Sequence, residues 1–207
     1  MAARVITIAQ QKGGAGKTTL TAHLAVGFGE AGLRVAVLDI DPQGSLSAWA
    51  ALRGGQPPEH RQAGGWRTAS EVDKLRRDFD LILIDSPPHA ETEAKLAVRE
   101  ADIVIVPVQP SPMDIWATKP TLDLARAEGR EVLVVLNRVP PRARLVDLAR
   151  EKLAELDVAV MDATLGNRVG FAAALMEGRA VTEEGRQSAA AQEIQALVAE
   201  LRRRLAI

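Results

Sequence analysis

The segment spanning residues 12–19 has the residue types and the spacing of a phosphate-binding loop. It reads Lys-Gly-Gly-Ala-Gly-Lys-Thr-Thr, and it lies between an apolar run at 5–9 and a helical pattern that begins near Thr18. Glycines allow the backbone N–H groups to turn toward a phosphate, and the N-terminus of the following helix adds its positive dipole. A loop of this composition between a strand and a helix predicts the binding of a nucleoside triphosphate, ATP.

Individual residues of this loop have distinct expected roles. The Lys17 ammonium would reach the β- and γ-phosphates, and the Thr18 hydroxyl would ligate Mg²⁺. The Thr19 hydroxyl is placed to donate to the α-phosphate. The loop residues predicted to bind the nucleotide are Lys12, Gly13, Gly14, Ala15, Gly16, Lys17, Thr18 and Thr19.

Lys12 is an additional lysine, and Gln11 stands where the usual G-x-x-x-x-G-K-[ST] pattern has its first glycine. A lysine at the start of the loop can point away from its own nucleotide. It can then supply charge to a nucleotide held by a second subunit, as an arginine finger does. The alternative is a solvated surface lysine, and the loop sequence by itself does not decide between the two.

Apolar runs alternate with helical patterns along the chain. Strands are predicted at 5–9, 35–38, 81–84, 103–106 and 132–136, with a short one at 158–160. Helices are predicted at 18–31, 45–52, 91–99, 114–128 and 144–156, and a loop at 54–65. Strands that are apolar on both faces and separated by helices indicate a mostly parallel twisted sheet with helices on both faces. We therefore predict an α/β fold of the P-loop NTPase type, in a single domain spanning residues 1–207.

The composition excludes several classes of function. The 207-residue chain contains no cysteine, which excludes disulfides, a cysteine nucleophile, an iron–sulfur cluster and thiolate zinc sites. The net charge of −1 argues against a strongly basic nucleic-acid binder, so any DNA contact would need a local patch. Since no stretch approaches the roughly 20 apolar residues of a membrane span, we expect a soluble cytoplasmic protein.

The last segment carries an apolar helical stripe beside a run of three arginines at 202–204. The stripe consists of Ile194, Leu197, Val198, Leu201 and Leu205. This pattern favours a helix docked on the sheet with a solvated basic end. A helix lying on a membrane surface is the alternative.

Four segments together resemble the motifs of the ParA/MinD family of ATPases. Residues 12–19 look like the deviant Walker A motif of the family, and residues 37–44 resemble its D-x-D-P-Q motif. Residues 81–88 resemble its Walker B strand with the turn that follows, and residues 106–114 are similar to a further segment of the small partition ATPases. The four segments occur in family order, and the length matches the small, ParF-like ParA type of plasmid partition.

The resemblance implies roles for charged residues within and beyond the loop. Lys12 would act across a dimer on the nucleotide of the partner, and Asp41 would orient the attacking water. Lys12, Lys17 and Asp41 are therefore the candidate catalytic residues. Asp85 would hold Mg²⁺ through water, with Asp39 as a support for the magnesium site.

The resemblance also implies a site for the base. Asn137 and Arg138 follow the strand at 132–136, where the family contacts adenine, and an amide offers both a donor and an acceptor to a base edge. Asn137 can equally be an ordinary turn residue. Residues 164–168 lie where related proteins pass a loop by the base.

The function implied is an ATP-dependent homodimer that acts as a switch in plasmid partition. It would hydrolyse ATP slowly, since no strong general base occupies a motif position, and a small centromere-binding partner protein would stimulate it. In the ATP state it would bind DNA without sequence preference and associate with the nucleoid. The candidate DNA contacts are Arg142, Arg144, Arg150, Lys152, Arg168, Arg179 and Arg186.

Other functions remain open at this point. Within the family, the chain can instead position a protein cargo, such as a chemoreceptor cluster or a microcompartment, or regulate septum placement as MinD-like proteins do. The C-terminus does not clearly match the membrane-targeting helix of MinD-like members, so membrane binding is not favoured. A small-molecule ligase or kinase on the same fold is a further alternative, against which Lys12 and the D-x-D-P-Q motif argue.

Overall fold

A single parallel sheet of seven strands, in the order β3-β2-β4-β1-β5-β6-β7, organises the chain. The computed structural model describes residues 3–88, 91–141 and 143–207. The strands are β1 (Arg4–Ile8), β2 (Val35–Asp39), β3 (Glu59–Gln62), β4 (Leu81–Asp85), β5 (Ile103–Val108), β6 (Glu131–Leu136) and β7 (Ala159–Val160). The prediction of an α/β fold with a parallel sheet is therefore confirmed.

Helices cover both faces of this sheet, as predicted. One face packs against α1 (Lys17–Glu30), α2 (Ser45–Leu52), α8 (Val169–Met176), α9 (Val181–Glu184) and α10 (Ala189–Leu205). The other packs against α3 (Thr68–Leu75), α4 (Glu91–Glu100), α5 (Pro112–Trp116), α6 (Lys119–Ala127) and α7 (Ala143–Ala154).

The central strands are apolar on both sides because each side of the sheet is buried. In β4, Leu81 and Leu83 belong to the core under α1, whereas Ile82 and Ile84 belong to the core on the opposite face. Successive side chains of a strand point to opposite faces, so a strand covered on both sides needs apolar residues at every position. This is why the strand predictions from apolar runs are confirmed in the centre of the sheet.

The prediction of a loop at 54–65 is wrong in part, because β3 lies within it. The strand reads Glu-His-Arg-Gln and pairs only with β2, at the edge of the sheet. An edge strand has one neighbour and a solvated side, and polar residues there also discourage pairing with other chains. A strand without apolar residues gives no hydrophobic pattern to detect.

The single helix predicted at 114–128 is divided into α5 and α6. Pro120 is at the second position of α6, and it lacks the N–H that a continuous helix would need. The Thr118 hydroxyl donates to the Asp114 carbonyl at 2.9 Å. The helices α3, α8 and α9 were not predicted, and α8 and α9 are short elements of eight and four residues.

The C-terminal helix α10 is docked on the sheet, and its apolar stripe is buried. Ile194, Leu197 and Leu201 are inaccessible to solvent and belong to the core around α1. At its basic end, Arg202 donates to the carbonyls of Ala31 and Ile207. The docked-helix interpretation is thus confirmed. Within the described ranges, no helix combines the length and the apolar character needed to cross a membrane.

His23 connects the first helix to the C-terminal segment. Its Nδ1 accepts a hydrogen bond from the backbone N–H of Val181 at 3.3 Å, and its Nε2 lies 3.1 Å from the carbonyl oxygen of Phe171. Because Val181 N–H can only donate, Nδ1 must be unprotonated, and the neutral ring donates from Nε2 to Phe171. Burial lowers the pKa of His23 from 6.5 to about 4.

We predict that the buried His23 lowers the free energy of unfolding at acidic pH. The unfolded chain takes up the His23 proton near pH 6.5 and the folded chain only near pH 4, so stability falls across this interval by up to about 3 kcal/mol. Burial raises the pKa of Asp85 to about 7. Protonation of Asp85 therefore increases the stability of the folded chain over the same interval, in the opposite direction to His23.

Comparison with His23→Gln separates the two, because Asp85 is common to both proteins. Urea unfolding at pH 7 and pH 5 should show a larger loss of stability for the wild type than for the variant. Equal losses in both proteins would contradict a neutral, buried His23.

Candidate functional site

The loop at 10–16 crosses the carboxyl end of β1, between β4 and β5. In open α/β sheets, ligands bind outside the carboxyl ends of the strands where the strand order reverses, which is the position of β1 here. Gly16 caps α1 in the left-handed conformation, with φ of +93°. A side chain at this position would also place its Cβ 2.5 Å from the Asn137 amide nitrogen, so that only glycine fits.

Asn137, directly after β6, supports the phosphate loop from two strands away. Its side-chain amide donates to the carbonyl oxygen of Ala15 at 2.8 Å, and its side-chain oxygen accepts from the N–H of Arg138 at 2.9 Å. The first contact fixes the loop to the end of the sheet, and the second orients the Asn137 amide. Contact of Asn137 with adenine stays a prediction.

Thr18 and Asp85 meet at the floor of the site. The Thr18 hydroxyl donates to Asp85 at 2.6 Å, and Thr21 Oγ1 lies 3.4 Å from the other carboxylate oxygen. Asp85 is fully buried. Burial and the negative charges of Asp39 and Asp41 raise its pKa to about 7, although the hydrogen bond from Thr18 and the charge of Lys17 act to lower it. A hydroxyl and a buried carboxylate in an acidic surrounding are the oxygen ligands that Mg²⁺ prefers, so the donor set fits the metal predicted here.

Lys17 is a cation whose charge acts on Asp85 and Asp41. Its ammonium is largely buried and donates to the carbonyl oxygen of Gln10 at 3.0 Å. Burial lowers the pKa of Lys17, and Asp85 and Asp41 partly offset this effect. A buried ammonium with one carbonyl partner is well suited to accept a phosphate oxygen as a further partner.

The two aspartates that follow β2 have different surroundings. Asp39 is buried and accepts hydrogen bonds from Ser47, through N–H at 2.8 Å and hydroxyl at 2.7 Å, and from the N–H of Asp41 at 3.1 Å. Asp41 is partly exposed, accepts from the N–H of Gln43 at 2.9 Å and lines the cleft described below. Asp39 therefore fixes the turn that carries Asp41, and its support of the metal stays a prediction.

Lys12 is paired away from the phosphate loop. Its ammonium lies 2.7 Å from the carboxylate of Asp114 on α5, which also accepts a hydrogen bond from the Ser111 hydroxyl. Asp114 is buried, whereas Lys12 is about one-third exposed. Lys12 must leave this ion pair before it can reach a nucleotide.

The cleft beside the phosphate loop has two adjoining parts that share Gly16, Thr19 and Arg138. One part, of about 520 Å³, is lined by phosphate-loop residues together with Asp41, Trp49, Leu52, Leu175 and Met176. The other, of about 370 Å³, is lined by residues that include Asn137, Leu165, Gly166, Asn167, Arg168 and Phe171. Part of the loop expected beside the base, residues 164–168, thus lines the cleft.

Most of the residues predicted to contact DNA have other partners in the structure. Ion pairs join Lys152 to Glu155, Arg168 to Glu193, and Arg179 to Glu177 and Glu184. Arg150 donates to the carbonyls of Met161 and Asp162. Arg144 and Arg186 are exposed and make no side-chain hydrogen bond or ion pair within the described residues. Arg142 lies outside the described residues.

Several residues that shape the site were not identified as functional from the sequence. The Gln10 carbonyl accepts a hydrogen bond from the Lys17 ammonium, and the Asp114 carboxylate accepts one from Lys12. The Ser47 hydroxyl donates to the Asp39 carboxylate. Asp114 is part of the segment at 106–114 that resembles the partition ATPases, which is a signal for it. Gln10 acts through its backbone carbonyl, which no sequence pattern reports.

Sequence comparison places the chain among known proteins. Residues 6–181 match the model of the CobQ/CobB/MinD/ParA nucleotide binding domain. The maintenance of carboxysome distribution protein A of Halothiobacillus neapolitanus is 27% identical over 95% of both chains. Its namesake from Gloeobacter kilaueensis is 32% identical over 87% of this chain and 84% of the relative. Protein ParA of Rhizobium radiobacter is 28% identical over 84% of this chain and 83% of the relative.

Solved structures agree with this placement at the level of the fold. The septum site-determining protein MinD of Pyrococcus horikoshii, complexed with Mg-ADP, has a TM-score of 0.77 at 22% identity and covers 96% of both chains. A substituted McdA of Cyanothece in complex with ATP also has a TM-score of 0.77, at 17% identity, covering 100% of this chain and 97% of that one. The chain therefore belongs to the CobQ/CobB/MinD/ParA nucleotide-binding domain family, as an ATPase of the ParA/MinD type.

Proposed function

We propose that the chain is an ATP-dependent dimerising switch that distributes a cargo, in the first place a plasmid, over DNA. The observation that carries this proposal is the position of Lys12. Its ammonium is held by Asp114, and Lys12 is not among the described residues that line the nucleotide cleft of its own subunit. The Lys12 ammonium would therefore stabilise the phosphates of a nucleotide bound to a second subunit.

The surface around the cleft supports self-association. Leu52 and Met176 line the cleft, and 60% and 81% of their surfaces are exposed. Large apolar residues at the rim of a charged cleft are costly to leave in water and are typical of a surface that another molecule covers. A second copy of the chain, facing the first across two nucleotides, would cover them.

Hydrolysis in this dimer would rely on positioning and charge. Lys17 would bind the phosphates from within the subunit and Lys12 from the partner, and Thr18 and Asp85 would hold Mg²⁺. The metal, when bound, supplies positive charge that offsets the charge of the phosphate oxygens. Asp41, at the rim of the cleft, would orient the attacking water. Slow intrinsic turnover follows from the lack of a strong base among these residues, and a partner protein would stimulate it.

The cargo has two candidates. Plasmid partition is supported by the similarity to ParA of Rhizobium radiobacter. A protein compartment is supported by the similarity to the carboxysome distribution proteins of Halothiobacillus neapolitanus and Gloeobacter kilaueensis. Identification of the molecules that co-purify with the ATP-bound Asp41→Ala form separates the two.

We predict that Lys12→Ala prevents ATP-dependent dimerisation while the monomer still binds ATP through Lys17. Sedimentation velocity with ATP and Mg²⁺ measures the dimer, and binding of a fluorescent ATP analogue measures the monomer. Lys119→Ala is the matched control, because Lys119 is an exposed lysine on α6 whose partner is Asp123. If Lys12→Ala dimerises as well as the control, the role of Lys12 across the dimer is wrong.

We also predict that DNA binding requires ATP, falls steeply with salt and depends on Arg144 and Arg186, which have no side-chain partner within the described residues. A protein that neutralises phosphates releases counterions, which gives the salt dependence. Arg144→Ala and Arg186→Ala should weaken a mobility shift more than Lys152→Ala and Arg179→Ala do, since the latter two side chains are paired with glutamates. A shift that appears without ATP, or that all four variants weaken equally, would count against this assignment.

A further inference from the structure

A buried arginine fastens the helix that follows the Asp41 turn to the C-terminal part of the chain. Arg53 comes directly after α2, and only 4% of its side chain is exposed. It donates to the Gly178 carbonyl at 2.8 Å, to both oxygens of Glu183 at 2.9 Å, and from Nε to the Pro57 carbonyl at 2.9 Å. The planar guanidinium thus joins three segments in one fixed geometry.

Close packing completes this junction. The indole N–H of Trp49 donates to the carbonyl of Arg179 at 3.2 Å, and the Arg53 guanidinium lies 5.0 Å from the centre of the Trp49 ring. A Cβ on Gly178 would lie 2.7 Å from the Cβ of Leu52, so the backbone approaches α2 as closely as glycine permits. The end of α2 and the segment 178–183 therefore pack as one unit.

The other end of α2 is attached to the turn that carries Asp41. Asp39 accepts hydrogen bonds from Ser47 in the first turn of α2 and from the N–H of Asp41. The helix has eight residues and is about 12 Å long. Because the helix has only about two turns, we expect a displacement at Arg53 to shift the turn that carries Asp41.

The segment 178–183 is in turn fastened to the helix of the phosphate loop. The N–H of Val181 donates to His23 on α1, and His23 also contacts the Phe171 carbonyl at the start of α8. Leu175 and Met176, at the end of α8, line the cleft. Arg53 is thus one of the contacts that connect the helix following Asp41 to the segment packed on the phosphate-loop helix.

We propose that Arg53, held by Glu183, is a positioning residue for ATP hydrolysis that sets the place of Asp41 relative to the phosphate loop. This inference rests on the proposed function, in which Asp41 orients the attacking water. Arg53 itself does not line the described cleft and would not touch the nucleotide. Its loss should therefore slow hydrolysis and leave ATP binding through the phosphate loop largely intact.

The choice of variants must separate positioning from stability. Burial disfavours the ionised form of Glu183, yet the hydrogen bonds from Arg53 and from the N–H of Ala180 hold its pKa below the usual value. Removing Arg53 alone would leave this carboxylate without its partner and destabilise the fold. Arg53→Lys keeps the charge, but a single ammonium cannot reproduce the planar fork. Arg53→Met combined with Glu183→Leu removes both charges and keeps apolar volume.

The measurement is the rate constant of single-turnover hydrolysis of radiolabelled ATP, alongside the ATP dissociation constant and the melting temperature. For Arg53→Lys and for the double variant we expect hydrolysis to slow about 10-fold or more, the effect expected of a small misplacement of a reacting group. The dissociation constant should stay within a few-fold of the wild type. Arg77→Met is the control, because Arg77 is exposed and its side chain has no hydrogen bond or ion pair within the described residues.

Two results would overturn the positioning role. The first is a wild-type rate in either folded Arg53 variant. The second is a loss of ATP binding as large as the loss of rate, which indicates general loosening. A wild type and an Arg77→Met variant that do not hydrolyse ATP would instead contradict the proposed function.

Discussion

The contact between Thr18 and Asp85 is the constraint on which the site depends. It joins the first helix to the central strand β4 at 2.6 Å, and it lies where Asp39 and Asp41 also place negative charge. Lys17 offsets part of this negative charge from within the cleft. Buried like charges are costly unless they are compensated, so the site is built to gain stability from a bound cation and the phosphates that accompany it. The sheet, apolar on both faces, holds these residues in place at its carboxyl end.

The same constraint gives a physical reason for the position of Lys12. A second lysine in the cleft would neutralise the acids without a ligand, and Lys12 is instead held by Asp114 on α5. The proposal that Lys12 acts in the partner subunit makes the complete site a property of two chains. In that arrangement, whether the chain is a dimer depends on whether ATP is bound, which is the behaviour of a switch.

The sequence was most informative where one physical cause acts locally. The glycines and the Lys17–Thr18 pair are required by the phosphate loop itself, and buried strands such as β4 need apolar residues on both sides. Contacts between distant segments could not be read in this way. The polar edge strand β3, the pairing of Lys12 with Asp114 and the link of Arg53 to Glu183 each depend on a partner that only the fold brings near. The acidic partners of Lys152 and Arg179 likewise required the structure.

A mixing experiment tests the central claim, that Lys12 acts on the nucleotide of the second subunit, most directly. Lys12→Ala and Asp41→Ala are each expected to lose ATP hydrolysis. A dimer of one variant with the other has one site that combines an intact Asp41 with Lys12 from the partner. We predict that a mixture in equal amounts recovers ATP hydrolysis from the mixed dimers, whereas each variant alone stays inactive. If the lysine acted within its own subunit, every site would remain defective, and a mixture as inactive as the separate variants would contradict the account.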